Sequence, residues 1–360
     1  MTPSNTPTAP TDSAHPLSLF EFWPGWIFYT PVVIYWILLG IRYGDVTLPT
    51  AANPRVVTGG LCGESKSSIL DMAGSYASRW IAPYTTFTTG PQDATQALQA
   101  IREHDLHFPI VLKPDVGCNG TGVKLVHSEQ ELTQTIATFP RGVTLMLQRL
   151  IPWKAEAGLF YIREADAPHG YLSSLTYKDI PTLTGNGHDT LLSLLQQDTR
   201  TAKVLHIYTP RLAKRLNDIP AKGEEIELVF TGNHCKGAIF RNGIADITPE
   251  LTARIDAIMQ DIPDFHFGRI DVKFRSVEAL RRGEDFEIIE INGAGSEATH
   301  IWDARTTLRE AYAAQFHHYA ASFRIGAAKK AAGWKPTSLW RGIRLWRWQK
   351  RLLASYPLND

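Results

Sequence analysis

The sequence predicts an α+β fold, and three features of its pattern indicate this. Segments with apolar residues at helical spacing occur along the chain between short segments that alternate polar and apolar residues, as strands do. Several of the strand-like segments follow one another directly, which is typical of antiparallel sheets. Two of them flank the stretch GCNGTG at residues 117–122, whose three glycines predict a hairpin loop.

The elements follow in order along the middle of the chain. We predict helices at 66–80, 93–104, 128–139 and 249–262 from their apolar spacing and their first-turn acids or caps. We predict strands at 55–61, 108–114, 142–152, 157–164, 170–178, 225–230, 236–247, 265–274 and 285–293, with Asn242-Gly243 as a hairpin turn.

Length and composition bound the organisation of the chain. Its 360 residues suffice for a large core, and a net charge of +1 argues against a nucleic-acid partner. The three cysteines form no C-x-x-C pair, which favours neither a zinc site nor a disulfide framework. We divide the chain into a disordered tail (1–18), a membrane-associated segment (19–48), a reduced region (49–90), a catalytic unit (91–310) and a helical, basic and tryptophan-rich tail (311–360).

Residues 22–41 carry no charged side chain and could reach across a hydrocarbon core of roughly 30 Å. No basic residue precedes them, so we expect no cleaved signal peptide and expect the rest of the chain on the cytoplasmic side of the plasma or inner membrane. Pro24 and Pro31 favour a kinked span or a re-entrant hairpin over a straight helix. A buried core helix of a soluble protein is the alternative.

The opposite end of the chain is also suited to a membrane surface. From Ala311 onward there are nine Lys or Arg residues and one acid, and tryptophans 334, 340, 346 and 348 lie among them. A basic, tryptophan-rich helix predicts binding to an anionic leaflet. An ordinary solvated helix that packs on its own domain is the alternative.

Two strand-like segments late in the chain bring polar residues to one face. By the period of two, Arg269, Asp271 and Lys273 share one face, and so do Glu290 and Asn292. If the strands are neighbours, Asp271, Glu290 and Asn292 form an oxygen-rich set suited to Mg²⁺. The polar outer face of a sheet is the other interpretation. If the two carboxylates only repel each other, neutralising either one should leave stability unchanged or raise it.

The glycine stretch matches neither the dinucleotide fingerprint nor the P-loop. Lys113 lies on the strand that enters it and would stand beside whatever the loop covers. Backbone N–H groups of a glycine hairpin can close over polyphosphate oxygens, and a lysine supplies a point charge. We therefore predict a phosphate clamp.

The order of these motifs resembles the ATP-grasp superfamily over roughly residues 100–300. FPIVLKPDVGCNGTGV is similar to its phosphate-loop signature, and FGRIDV…FEIIEING is similar to its closing metal-binding signature. Within the superfamily, the resemblance is to the D-alanine–D-alanine ligases and cyanophycin synthetase. The latter has a stretch similar to KDIPTLTGNGHDTLLSLL, in which Asn186 replaces an Asp. The resemblance implies two α+β subdomains that clamp ATP, preceded by a reduced N-terminal domain and the hydrophobic segment.

The resemblance also implies roles for individual residues. Lys113 would bind phosphates, Lys178 would reach the terminal phosphate, Arg269 would stabilise the transferring group and Glu156 would hold the ribose. The remaining roles are a lid at Gly117, Gly120, Thr121 and Gly122, a hinge against adenine at Leu147–Leu150 that includes Gln148, Arg149 and Leu150, and a metal site at Asp271, Glu290 and Asn292 for two Mg²⁺ or Mn²⁺ ions. Lys66 is the nearby candidate for a second phosphate-binding lysine.

These roles together imply a membrane-associated, ATP-dependent carboxylate–amine ligase that forms an acyl phosphate. Its partners would be a small-molecule or lipid-linked carboxylate and amine, and the sequence leaves their identity and the oligomeric state open. A phosphotransferase of the same fold and a non-catalytic nucleotide-binding adaptor are the alternatives.

Overall fold

The computed structural model describes residues 18, 20, 21, 23–230, 232, 233 and 237–359. The predicted disordered tail lies outside these residues apart from Ser18, and so does Cys235. The described part of the chain contains both helices and antiparallel sheets, so the predicted α+β class is confirmed.

The helices and strands have the following bounds. The helices are α1 (Gly25–Tyr43), α2 (Lys66–Leu70), α3 (Asp93–Glu103), α4 (Glu129–Ile136), α5 (Leu191–Gln197), α6 (Leu205–Tyr208), α7 (Pro249–Gln260), α8 (Val277–Arg281), α9 (Leu308–Ala331) and α10 (Leu339–Ala354). The strands are β1 (Tyr84–Thr88), β2 (Ile110–Pro114), β3 (Lys124–Val126), β4 (Thr144–Arg149), β5 (Ala155–Ile162), β6 (Tyr171–Asp179), β7 (Thr182–Thr184), β8 (Glu225–Glu227), β9 (Ile239–Asn242), β10 (Phe267–Phe274) and β11 (Phe286–Asn292).

A four-stranded antiparallel sheet, in the order β1-β4-β2-β3, carries the glycine hairpin. Helices α3 and α4 cover it, with Ile101 and Leu132 packed against the buried strand residues Ile110, Leu112 and Leu145. The period-two alternation of β2 leaves this apolar set on one face. The hairpin is therefore mounted on a subdomain with its own core.

A five-stranded antiparallel sheet, in the order β11-β10-β5-β6-β9, forms the second subdomain. Helix α7 packs Leu251 and Ile255 against Leu159 and Ile270 on one face of this sheet. A two-stranded sheet of β7 and β8 stands apart from it, and its Ile226 joins a separate core built by residues from α5, α6 and their surroundings.

The N-terminal apolar segment forms one continuous helix, so the expectation of a re-entrant hairpin is wrong. Pro24 precedes α1 as its N-cap, a position whose backbone N–H the helix does not need as a hydrogen-bond donor. Pro31 lies inside the helix. The helix ends at Gly44, which adopts a left-handed φ of 72°. Among the described helices, α1 alone has the length and composition that could cross a membrane, which is weak support for a span.

Three local expectations are wrong, each because tertiary contacts overrode the pattern. The strand predicted at 55–61 is a turn, since Gly59 and Gly60 have φ values of 63° and 81°. The helix predicted at 66–80 ends after α2, and the Asp261 carboxylate accepts the Tyr76 backbone N–H instead. The Asn-Gly hairpin does not form, because β9 ends at Asn242 and pairs with β6.

Candidate active site

The loop of the glycine hairpin is built from left-handed backbone. Asn119, Gly120 and Gly122 have φ values of 55°, 65° and 75°, and the Thr121 N–H donates to the Cys118 carbonyl. A Cβ on Gly122 would lie 2.9 Å from Pro114 Cγ, so glycine is required there for space as well as for φ. The loop is therefore a tight turn, and its glycines leave the backbone uncovered by side chains.

Lys113 lies on β2, the strand that enters this loop, and is buried. Its Nζ donates to Gln148 Oε1 and to the Ile289 carbonyl, each at 2.9 Å. Burial lowers the pKa of Lys113 to about 8, against the opposing effect of carboxylates such as Glu290. Both of its partners are neutral, so the ammonium is available for an anionic ligand.

A β-bulge supplies the Ile289 carbonyl. In the β10–β11 pairing Asp271 lies opposite Glu290 and Val272 lies opposite Ile288, so Ile289 has no partner across the ladder. An unpaired bulge residue leaves its backbone groups free for other contacts. The Lys113 contact with Ile289 joins the hairpin sheet to the five-stranded sheet, and the site thus lies between the two subdomains.

Lys66, which the sequence left uncertain, lies in the same site. Its Nζ donates to the Gly117 carbonyl at 2.9 Å and lies 3.5 Å from Glu290 Oε1. Lys66 is the first residue of α2, and its backbone N–H donates to the carbonyl of Asp115, the residue that follows β2, so this bond holds the start of α2 beside the hairpin. The sequence offered Lys66 only as the nearby candidate for a second phosphate-binding lysine, and the fold brings it to the hairpin.

The predicted hinge residues on β4 point in opposite directions. Gln148 is buried and contacts Lys113, whereas Arg149 is exposed and pairs with Glu287 on β11. Strand alternation requires this, so a contact of Arg149 with a ligand in the cleft would come from its backbone. Leu150 follows directly after β4 and is half-buried.

The predicted catalytic residues form three rows across one face of the five-stranded sheet. Asn292, Arg269 and Phe160 lie side by side on β11, β10 and β5. Glu290, Asp271 and Gly158 form the second row, and the third contains Lys273 with Glu156. Lys178 on β6 contacts the second and third rows.

A chain of ion pairs joins the rows. Arg269 holds Asp271 with two contacts, Nε to Oδ1 at 2.8 Å and Nη2 to Oδ2 at 3.1 Å. Lys178 Nζ lies 3.0 Å from Asp271 Oδ1 and 2.9 Å from Glu156 Oε1. Lys273 Nζ completes the chain 3.3 Å from Glu156 Oε2. Four of these five groups were predicted site residues, with Lys273 noted only as sharing their face.

Charge pairing dominates the protonation of this network. Burial alone would raise the pKa of Asp271, but Arg269 and Lys178 outweigh it and hold the pKa at about 2. Burial would also raise the pKa of Glu156, and Lys178 with Lys273 lowers it below its usual value. Asp271 and Glu156 are therefore anions in this arrangement, and the same carboxylates raise the pKa values of Lys178 and Arg269 against the effect of burial.

The set predicted to bind metal is brought together by the fold. Asp271 and Glu290 are registered opposite each other, and Asn292 Nδ2 donates to Asp271 Oδ2 at 3.4 Å. No group of three or more His, Cys, Asp or Glu side chains with metal-binding geometry occurs in the described residues. Two carboxylates and one amide remain a donor set that fits a hard cation such as Mg²⁺.

Sequence reasoning missed the segment that follows β11. Ser296 Oγ accepts the Arg269 N–H at 3.1 Å, and the Glu297 carbonyl accepts from Arg269 Nη1 at 3.2 Å. Gly293 packs on Gly60, since a Cβ on either glycine would clash with the other residue's backbone. The segment after β11 thus orients the Arg269 side chain. It lies outside the signature motif, so no sequence pattern identified this role.

Another missed contact is Gly232, which covers the Glu156–Lys178 pair. A Cβ at Gly232 would lie 2.7 Å from Glu156 Oε1 and 3.0 Å from Lys178 Cδ. Any larger residue would displace the ion pair, so this backbone forms one wall of the site.

No protein-family model matches the chain, and no curated protein matches it. Among solved structures, it is similar to the VanG D-Ala:D-Ser ligase from Enterococcus faecalis, with 13% identity and a TM-score of 0.43 over 74% of this chain and 64% of that one. It is also similar to a D-alanine–D-alanine ligase from Bacillus anthracis, with 13% identity and a TM-score of 0.41 over 77% of this chain and 71% of that one. A third similar structure is a bifunctional glutathione synthetase from Pasteurella multocida, with 11% identity and a TM-score of 0.36 over 70% of this chain and 36% of that one. The chain thus spans about a third of the synthetase, and similarity of this extent carries no activity or substrate over to it.

Proposed function

We propose that the protein is an ATP-dependent carboxylate–amine ligase of the ATP-grasp type. One observation carries the proposal: four cations, Lys66, Lys113, Lys178 and Arg269, converge with Asp271 and Glu290 between a glycine hairpin and a sheet. A polyphosphate needs this combination of positive charge, backbone donors and metal ligands. The two sequence signatures support the same assignment.

The binding step uses the first subdomain. ATP would lie between the two subdomains, with the hairpin backbone over its phosphates and the Lys113 and Lys66 ammonium groups contacting phosphate oxygens. Gln148 and the β4 backbone would meet the base. Asp271, Glu290 and Asn292 would hold magnesium, which when bound offsets the negative charge of the triphosphate.

The transfer step uses the second subdomain. A substrate carboxylate attacks the γ-phosphorus, the bond to the bridging oxygen breaks, and ADP and an acyl phosphate result. Arg269 and Lys178 would stabilise charge on the transferring group, since both lie on the sheet face that meets the cleft. An amine then attacks the acyl carbon, phosphate leaves and the amine nitrogen loses a proton, which forms the amide.

Location and partners are part of the proposal. We assign the enzyme to the cytoplasmic face of the plasma or inner membrane. One of its two substrates would be a soluble metabolite and the other an amphiphilic or lipid-linked carboxylate or amine. The uncharged helix α1 and the basic helix α10 motivate this assignment.

Hydroxylamine trapping tests the chemistry. The full-length protein is incubated with ATP, Mg²⁺, pools of carboxylates and hydroxylamine, and hydroxamate and ADP are measured together. An acyl phosphate gives both products in equal amounts, and Lys178→Met should abolish both. ADP with a stable phosphorylated product and no hydroxamate would indicate a phosphotransferase. ATP binding without ADP from any pool, including membrane extracts, would indicate an adaptor.

A further inference from the structure

Helix α1 has two faces of different character. Its inner face packs along α9, with the Tyr35 and Phe316 rings 4.5 Å apart and the Trp36 and Phe323 rings 5.2 Å apart. Phe28 is buried, and its carbonyl accepts from the Tyr312 hydroxyl at 3.1 Å. These contacts fix α1 to the folded domain along its length.

The outer face of α1 is apolar and exposed. Trp26 is 75% exposed, Ile34 53%, Leu38 56% and Ile41 72%. These residues recur at helical spacing, and no charged residue interrupts them. Apolar surface of this extent in water is unfavourable, so it calls for a partner.

The packing on α9 is incompatible with a bilayer-spanning α1. On its other side α9 contributes Ala321 and Ile325 to a core shared with Phe160 and Phe267 of the catalytic sheet. It also carries Arg324, which pairs with Glu164. If α1 crossed the hydrocarbon, it would draw these charges and the sheet in with it, at a large cost.

We infer that α1 lies flat on a lipid bilayer, with the Trp26–Ile41 face in the leaflet and the α9 face on the protein. A helix that lies flat keeps its whole length at the depth of the membrane–water interface, where tryptophan is favoured, and Trp26 is the most exposed apolar side chain of this face. The bilayer partner is anionic lipid, because residues 335–351 carry six cations and no acid, whereas the other three cations after residue 311 pair with acids of the folded domain. A second copy would bring the same positive charge to the contact, which disfavours self-association through this surface.

The same helix contacts the candidate active site. The Tyr29 hydroxyl donates to Glu297 Oε1 at 2.9 Å, and the Glu297 carbonyl accepts from Arg269 Nη1. Trp302 and Gln315 also donate to the Glu297 carboxylate. Tyr29 and Glu297 therefore connect the membrane helix to Arg269, which suits a substrate that reaches the site from the leaflet.

Vesicle binding tests the inference on the full-length protein. The substitutions Ile34→Ser and Leu38→Ser together remove outer-face apolar surface without touching the α9 face. The matched control is Ile219→Ser with Ile244→Ser, two exposed residues far along the chain from α1. Preformed vesicles with and without phosphatidylglycerol are floated with each protein, and ATP affinity verifies folding.

We expect wild type and control to float with phosphatidylglycerol vesicles, and the α1 variant to need roughly tenfold more lipid. Alkaline carbonate should release wild-type protein. Four results would overturn the inference: no flotation of wild type, equal flotation of the α1 variant, retention in carbonate, which indicates a span, or a dimer that the α1 variant dissociates. A dimer that the α1 variant dissociates would assign the surface to self-association. ADP release on soluble substrates is independent of these outcomes, so the ligase proposal is tested separately.

Discussion

Replacing Lys113 with methionine distinguishes the free energy that burial of its ammonium group costs from the contribution of that group to ATP binding. Its pKa falls from 10.5 to about 8, so holding the ammonium in the folded protein at neutral pH costs about 3 kcal/mol. Methionine fills the space and removes that cost, but it leaves Gln148 Oε1 and the Ile289 carbonyl without this donor. Two such losses cost roughly 1–3 kcal/mol each. The effects partly cancel, and the free energy of unfolding should change by between a gain of about 1 kcal/mol and a loss of about 3 kcal/mol.

ATP affinity should respond very differently. A hydrogen bond from an ammonium to phosphate is worth about 1.5–3 kcal/mol, which corresponds to a roughly ten- to hundredfold rise in Kd. Calorimetry with ATP and Mg²⁺ measures the Kd, and urea unfolding measures stability. Lys203→Met, which removes an exposed charge outside the cleft, should leave both unchanged. A Lys113→Met protein that binds ATP within threefold of wild type would refute the assignment.

The same residue predicts a pH dependence. The ammonium that binds phosphate is lost as pH rises through about 8, so ATP Kd should rise up to about tenfold per pH unit above it. Lys113→Arg, which stays charged, should give a flat profile. A flat wild-type profile up to pH 9.5 would contradict the lowered pKa.

Three further predictions concern other contacts. Asp271→Asn leaves Arg269 and Lys178 without their shared anion, so stability should fall by about 3 kcal/mol, the opposite of the expectation from carboxylate repulsion alone. Because the pKa of Asp271 is lowered to about 2 from 3.8, wild type should lose this stability as pH falls from about 4 to 2, and the variant should lack that part of the acid transition in urea titrations. Lys66→Met should weaken ATP binding roughly tenfold in calorimetry with no cooperative loss of folding, and unchanged affinity would exclude it from the phosphate site. Gly122→Ala should cost about 2–3 kcal/mol more in thermal or urea unfolding than Gly142→Ala, since both have positive φ but only Gly122 is crowded by Pro114, and equal losses would refute crowding.

The sequence by itself determined the α+β class, the glycine hairpin and which residues share a face on each of the last two strands. These features depend on local periodicity, on glycine's access to positive φ and on strand alternation, all of which are visible in a short window. The alternation that set Asp271 and Arg269 on one face holds in the structure, with Glu290 registered across from Asp271.

Only the tertiary structure decided which distant groups meet. Lys66 reaches Gly117 across 51 residues, and Lys113 reaches a carbonyl freed by a bulge in β11. The tertiary structure also turned residues 55–61 from a strand into a turn that packs Gly60 on Gly293. The orientation of α1 was undecidable from its composition, because an apolar helix satisfies a bilayer span and a surface contact equally well. Its aromatic packing on α9 distinguishes them, since burial of one face against a charged, folded domain is a property of two helices together.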